Sequence, residues 1–264
     1  MWFWLLGRGI VHEQDDLRPD NPPSNPALLA YLEKDFIEHK YDLKHVLRLV
    51  LNSRTYQLSS IPTEANKDDT VHFSHYYARR LGAEVLVDAI GQVIGKSPQF
   101  GSDIPEPLTV LPEGFPAVGL YDAAIASPFL ETFGRPPRDT GYASEGDLSF
   151  TSVQAMFLLN APELHAILVK SPRVNRWLEE KKSDEEIVDE LYTLALCRPP
   201  RPEEKKSFLE SLDKQRRLTS TKDPKARAKL RALEKKEGPL NPVKNSLQDA
   251  VWTLLNSKQF LLNH

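Results

Sequence analysis

The chain has 264 residues, 40% hydrophobic and 27% charged, which suits a globular protein with room for one large domain or two small ones. Its single cysteine, Cys197, excludes an intramolecular disulfide and any site built from several cysteine ligands, and there is no Cys-x-x-Cys-His motif to attach haem. The net charge of −3 is unevenly spread: residues 214–236 hold ten Lys/Arg against Asp223 and Glu234, while the remaining 24 basic and 35 acidic residues form an acidic body that does not fit a nucleic-acid binder.

The opening Met1-Trp2-Phe3-Trp4-Leu5-Leu6 is apolar but far short of the ~20 residues that span a bilayer. It lacks the flanks of a signal peptide and reads as the tail of a longer helix, with Met1 as an internal start. No other apolar run is long enough for a transmembrane segment. A dense block follows, Gly7-Arg8-Gly9-Ile10-Val11, then Asp15-Asp16-Leu17-Arg18 and Asn21-Pro22-Pro23-Ser24-Asn25-Pro26. Asn25 caps a helix with Pro26 at its first position, and Leu28, Leu29, Leu32, Phe36 and Ile37 keep helical spacing to about residue 39. A second helix from about Asp42 places Leu43, Val46, Leu47, Val50 and Leu51 inward, so the two form an antiparallel αα-hairpin.

A helix over 82–94 ends at Gly95, and further helices are expected at 150–160 and from Pro162 to about Lys170. Ser183-Asp184-Glu185-Glu186 is a capping box opening a helix through Leu196, Pro202 starts the next, and the last runs from about Ser246 to Asn256. Between 97 and 147 periodicity gives way to recurrent proline and glycine, with apolar residues continuing throughout. This segment reads as an ordered excursion across the helices, with a short β-hairpin near 107–121. Residues 214–240 read as a basic helical insertion, either a solvated surface helix or a docking arm for an acidic partner. The fold class expected is all-α, one helical domain over 1–264.

Two devices echo along the chain. Leu51-Asn52-Ser53-Arg54-Thr55-Tyr56 returns as Leu255-Asn256-Ser257-Lys258-Gln259-Phe260, each closing an apolar helix. The Asn-Ser pair can stop a helix through local backbone hydrogen bonds, and the aromatic can then fold back onto the core. Arg135-Pro136-Pro137 is matched by Arg198-Pro199-Pro200, an arginine before a rigid bend. The separations fit no tandem repeat.

These blocks, with Tyr56-Gln57-Leu58-Ser59-Ser60, Arg79-Arg80-Leu81-Gly82-Ala83-Glu84, Phe133-Gly134-Arg135-Pro136 and Leu158-Leu159-Asn160-Ala161-Pro162-Glu163, occur in an order that resembles a planctomycete-type C-terminal domain of unknown function. The resemblance implies a position downstream of a second uncharacterised domain, often with a cytochrome c-like domain further upstream. It also implies export to the periplasm or cell envelope. Many members carry a Cys-x-Cys pair after the Gly-Arg-Pro block; Asp139–Gly146 here is cysteine-free.

The candidate polar cluster is Asp15, Asp16, Arg18, Asn21, Arg135, Arg138 and Glu145. The acids of 13–16 suit either a hard cation or a turn tied to Arg8 or Arg18, and the arginines suit either an anion or an internal ion-pair network. His72 and His75 are three apart but lack an obvious third ligand, and His39 and His45 read as exposed residues flanking the hairpin loop. No metal site and no cofactor is assigned, and no nucleophile elbow, phosphate loop or dinucleotide fingerprint is present. The reading favoured is a non-catalytic interaction or scaffold module whose partners are other domains of its parent protein. The alternatives are a carbohydrate-processing or other hydrolase with an acid/arginine cleft, and an accessory domain docking a cytochrome-like electron-transfer domain.

Overall fold

The computed structural model describes residues 1–13, 16–101, 111–120, 125, 127–135, 151–219 and 241–263. The fold is all-α. Its helices are α1 (Trp2–Leu6), α2 (Pro26–Glu38), α3 (Leu43–Leu51), α4 (Ala83–Ile94), α5 (Pro128–Thr132), α6 (Ser152–Asn160), α7 (Pro162–Val169), α8 (Pro172–Glu179), α9 (Asp184–Leu196), α10 (Pro202–Thr219), α11 (Pro242–Leu255) and α12 (Lys258–Leu261). Two-residue strands β1 (Arg79–Arg80) and β2 (Leu262–Asn263) form a two-stranded sheet. The chain divides into two compact units, Met1–Arg79 with Leu262–His264, and Arg80–Leu261.

The first unit is built on the predicted hairpin. The Asn25 side chain accepts from the Leu28 N–H at 3.0 Å, and Pro26 supplies the first turn. Lys40 and Tyr41, both at positive φ (55° and 63°), reverse the chain. Asp42 then caps α3, its carboxylate accepting from Lys44 and His45 N–H. A small core of Leu6, Val50, Phe73 and Tyr76 joins α1 and α3 to the loop after them. Gly7 ends α1 in the left-handed conformation, φ 82°. Arg79 then donates to the Leu5 carbonyl at 2.8 Å, satisfying a helix-end acceptor.

In the second unit α4 is central. Leu86, Val87, Ile90, Val93 and Ile94 are buried, and Gly95 closes the helix at φ 85°. Packed on α4 are α5, α8, α9 and α11. The indole of Trp177 from α8 is fully enclosed. The described part of the excursion crosses α4: Asp88 accepts from Ala117 N–H at 2.7 Å and Val118 N–H at 3.1 Å. Where a β-hairpin was expected, residues Ala117–Gly119 form a 3-10 turn instead. With Pro116 removing a ladder donor and an acidic side chain taking the free N–H groups, this stretch has no reason to pair as a strand. Residues 107–110 and 121 of that expectation lie outside the described residues.

Other boundaries shift for identifiable reasons. α11 begins at Pro242, four residues ahead of the expected Ser246, because Asn241 caps it just as Asn25 caps α2. α8, not anticipated, is opened by Ser171 with Pro172, and the Ser171 hydroxyl also donates to the Ile94 carbonyl at 2.8 Å. The window Ser152–Val169 has the length and composition of a membrane-crossing helix. It is interrupted at Ala161 (ψ 118°), so α6 and α7 are separate helices of 9 and 8 residues. Each is roughly 13 Å long, less than half the hydrocarbon thickness. Of the basic insertion 214–240, residues up to Thr219 continue α10, and 220–240 lie outside the described residues.

Candidate functional site

The opening block resolves into a tied corner. Arg18 grips Asp16 with two hydrogen bonds, Nε to Oδ1 at 2.5 Å and Nη2 to Oδ2 at 2.8 Å. Asn21 donates to the Asp16 carbonyl at 2.8 Å. Ser24 folds back on Ile10, its N–H and hydroxyl both donating to that carbonyl at 2.8 and 3.0 Å. Asp16, Arg18 and Asn21 are therefore brought together, and the carboxylate is already neutralised by a fork geometry that suits it. Asp15 lies outside the described residues.

In the second unit Arg135 is buried to 6% side-chain exposure beside Glu84, Nε to Oε1 at 3.5 Å, and donates to the Ile125 carbonyl at 3.3 Å. Arg138 and Glu145 lie outside the described residues. The matching arginine of the second Arg-Pro-Pro device, Arg198, grips Glu204 with two bonds of 2.8 Å and reaches Gln259 at 2.6 Å. Both described arginines of these devices are thus paired with a glutamate. Arg198, aided by the Arg201 N–H, holds the Glu204 carboxyl down at about 2.

His72 and His75 sit on a loop organised by Asp69. Its carboxylate accepts from the N–H groups of Val71, His72 and Ser74 at 2.8–3.0 Å. The Ser74 side-chain hydroxyl, followed by the His72 and Val71 N–H groups, holds Asp69 well below the usual carboxylate range. The Asp69 oxygens are committed to this turn and do not serve as a third ligand for the histidines.

Among the described residues, one group places three metal-ligating side chains together: Asp35, His39 and His45, whose donor atoms all lie within 4.8 Å of one another. Asp35 and His39 are one turn apart at the end of α2, and the tight reversal at Lys40-Tyr41 sets His45, in the first turn of α3, opposite them. His45 Nε2 is 2.8 Å from Asp35 Oδ2, and His39 Nδ1 is 3.5 Å from Asp35 Oδ1. The imidazoles stack at 3.6 Å with an interplanar angle of 11°. His39 is exposed, as the sequence indicated, whereas His45 is half-buried and Asp35 largely covered. The signal available in the sequence was Asp35-x-x-x-His39 followed, after a two-residue turn, by a histidine near the start of a helix. His45 also lines a cavity of about 410 Å³, with Trp2, Tyr31, Leu32 and Arg48 among its other walls.

A family model described as PSD1, protein of unknown function (DUF1553), matches residues 1–212. The chain belongs to this family. The PSD1 match takes in both the opening corner and the Asp35–His39–His45 cluster and stops short of the closing block 255–264, which the resemblance had included. No curated protein and no solved structure matches the chain.

Proposed function

We propose that this PSD1 chain is a non-catalytic interaction module of a cell-envelope protein, and that its α2–α3 hairpin seats a helical face of another domain of the parent protein. The observation that carries this reading is the exposure of the hairpin. α2 buries no residue at all, although it supplies five apolar side chains at helical spacing. Tyr31, Ile37, Tyr41 and Leu43 are each more than half exposed. Helices of 13 and 9 residues are marginal on their own, and the large apolar side chains left exposed on this hairpin support its being a place where another element packs. One further helix pair laid on this face completes a four-helix arrangement. A hydrolase cleft draws less support, because Asp16 and Arg135, the groups it would need free, are each engaged by an opposite charge.

A photo-crosslinking residue at Ile37 tests the reading in cells that express the full parent protein, with Asp68, on the exposed loop, as control. The expected result is a discrete crosslink from position 37 to an apolar helix of a folded domain, weakened by Leu29→Glu and absent from position 68. Equal, scattered crosslinking from both positions overturns it. So does turnover of ester, glycoside or phosphate substrates that is lost in Arg135→Lys.

A further inference from the structure

We propose that Asp35, His39 and His45 form a binding site for one divalent ion of the zinc class, independent of what the hairpin docks. The donor set is two imidazoles and one carboxylate, which suits a borderline transition-metal ion and not the all-oxygen shells of calcium or magnesium. Tetrahedral bonds of about 2.05 Å place neighbouring donors ~3.3 Å apart. The separation of 2.8 Å between Asp35 Oδ2 and His45 Nε2 lies within a short movement of that value, and all three side chains bring donor atoms within 4.8 Å of one another.

Asp35 faces a ring nitrogen of each histidine, and because an ion lies near the plane of each imidazole that binds it, coordination turns the exposed His39 ring out of its stack on His45. A metal ion uses a lone pair from each neutral ring and a carboxylate oxygen, and so satisfies all three groups at once. The backbone supplies the preorganisation: Asp42 fixes the first turn of α3 through two N–H groups, one of them that of His45. The His39 ring is held over the end of α2 by its Nδ1–H, which donates to the Asp35 carbonyl at 2.9 Å and leaves Nε2 as the ring's lone-pair atom. Three protein ligands leave a fourth position for water or an added ligand, and the exposure of His39 leaves it open to solvent.

The test is titration of the full, chelator-treated chain with ZnCl2 by calorimetry, and with CoCl2 by visible absorption, where low-coordinate cobalt gives intense d–d bands. The expected result is one equivalent bound at micromolar Kd or tighter, with an unfolding midpoint that rises with metal. Asp35→Asn, His39→Ala and His45→Gln each weaken binding at least tenfold, and His72→Ala leaves it unchanged. His39→Ala is the variant least able to disturb folding, since its ring is exposed, and circular dichroism verifies each variant. Absence of binding at 100-fold micromolar metal overturns the proposal. So does binding that survives all three substitutions, or binding that is lost with His72→Ala.

Discussion

Replacing Glu204 by glutamine isolates the bidentate Arg198–Glu204 ion pair of the second unit. Arg198 holds Glu204 bidentately, the Arg201 N–H donates to the same carboxylate at 2.8 Å, and the side chains are 27% and 23% exposed. The carboxyl is depressed from 4.5 to about 2. At 1.36 kcal/mol per pKa unit that difference corresponds to about 3 kcal/mol. Solvent reaches both partners, and screening reduces the expectation to roughly 1–2 kcal/mol at neutral pH. The sign follows from linkage: a folded-state pKa below the unfolded one gives stability that is complete above pH ~4.5 and is lost as pH falls toward 2. Urea unfolding followed by circular dichroism at pH 7 and pH 3 reads it. Glu204→Gln is expected to lose roughly 1–2 kcal/mol at pH 7, with the gap from wild type shrinking by more than half at pH 3. A gap that does not change between the two pH values, or no gap at pH 7, refutes the reasoning.

Two substitutions at left-handed positions are expected to move stability in opposite directions, both read as shifts in the urea midpoint. Cys197 ends α9 at φ 53° without being glycine, and it is exposed, so Cys197→Gly is expected to stabilise by about 0.5–1 kcal/mol. Gly7→Ala adds a Cβ at φ 82° that meets Arg79 Cδ at 2.6 Å, so it strains the backbone and displaces the guanidinium from the Leu5 carbonyl. A loss of about 2 kcal/mol is expected.

What the sequence disclosed were features whose cause lies within a few residues. The Asn-Ser helix stops are an example. Asn52 and Asn256 donate to the carbonyls four residues back at 2.8 and 2.9 Å, and Ser53 and Ser257 each accept the N–H of the aromatic three residues on, at 3.2 Å. Phe260 is buried, as the motif implied, and the capping box at Ser183 and the glycine stop at Gly95 are equally local. Partners distant in sequence were invisible. The Arg79-Arg80 block was conspicuous as letters, but its meaning depends on Leu5, 74 residues earlier, and Phe133, 53 later. The acid and arginine blocks gave residue types without saying which group each would meet. The Asp35–His39–His45 cluster was overlooked because its third member lies beyond a chain reversal whose tightness comes from Lys40 and Tyr41, neither of them a residue that announces positive φ.

The two neighbouring arginines also act as a register mark. Arg79 donates to a carbonyl at the end of α1, while Arg80, buried to 3%, donates to the Leu81 and Phe133 carbonyls with its guanidinium over the Phe133 ring. Consecutive side chains on an extended backbone leave in opposite directions, so one peptide unit serves two separate sets of acceptors. A one-residue insertion or deletion beside either arginine would withdraw its guanidinium from the carbonyls it serves within its own unit.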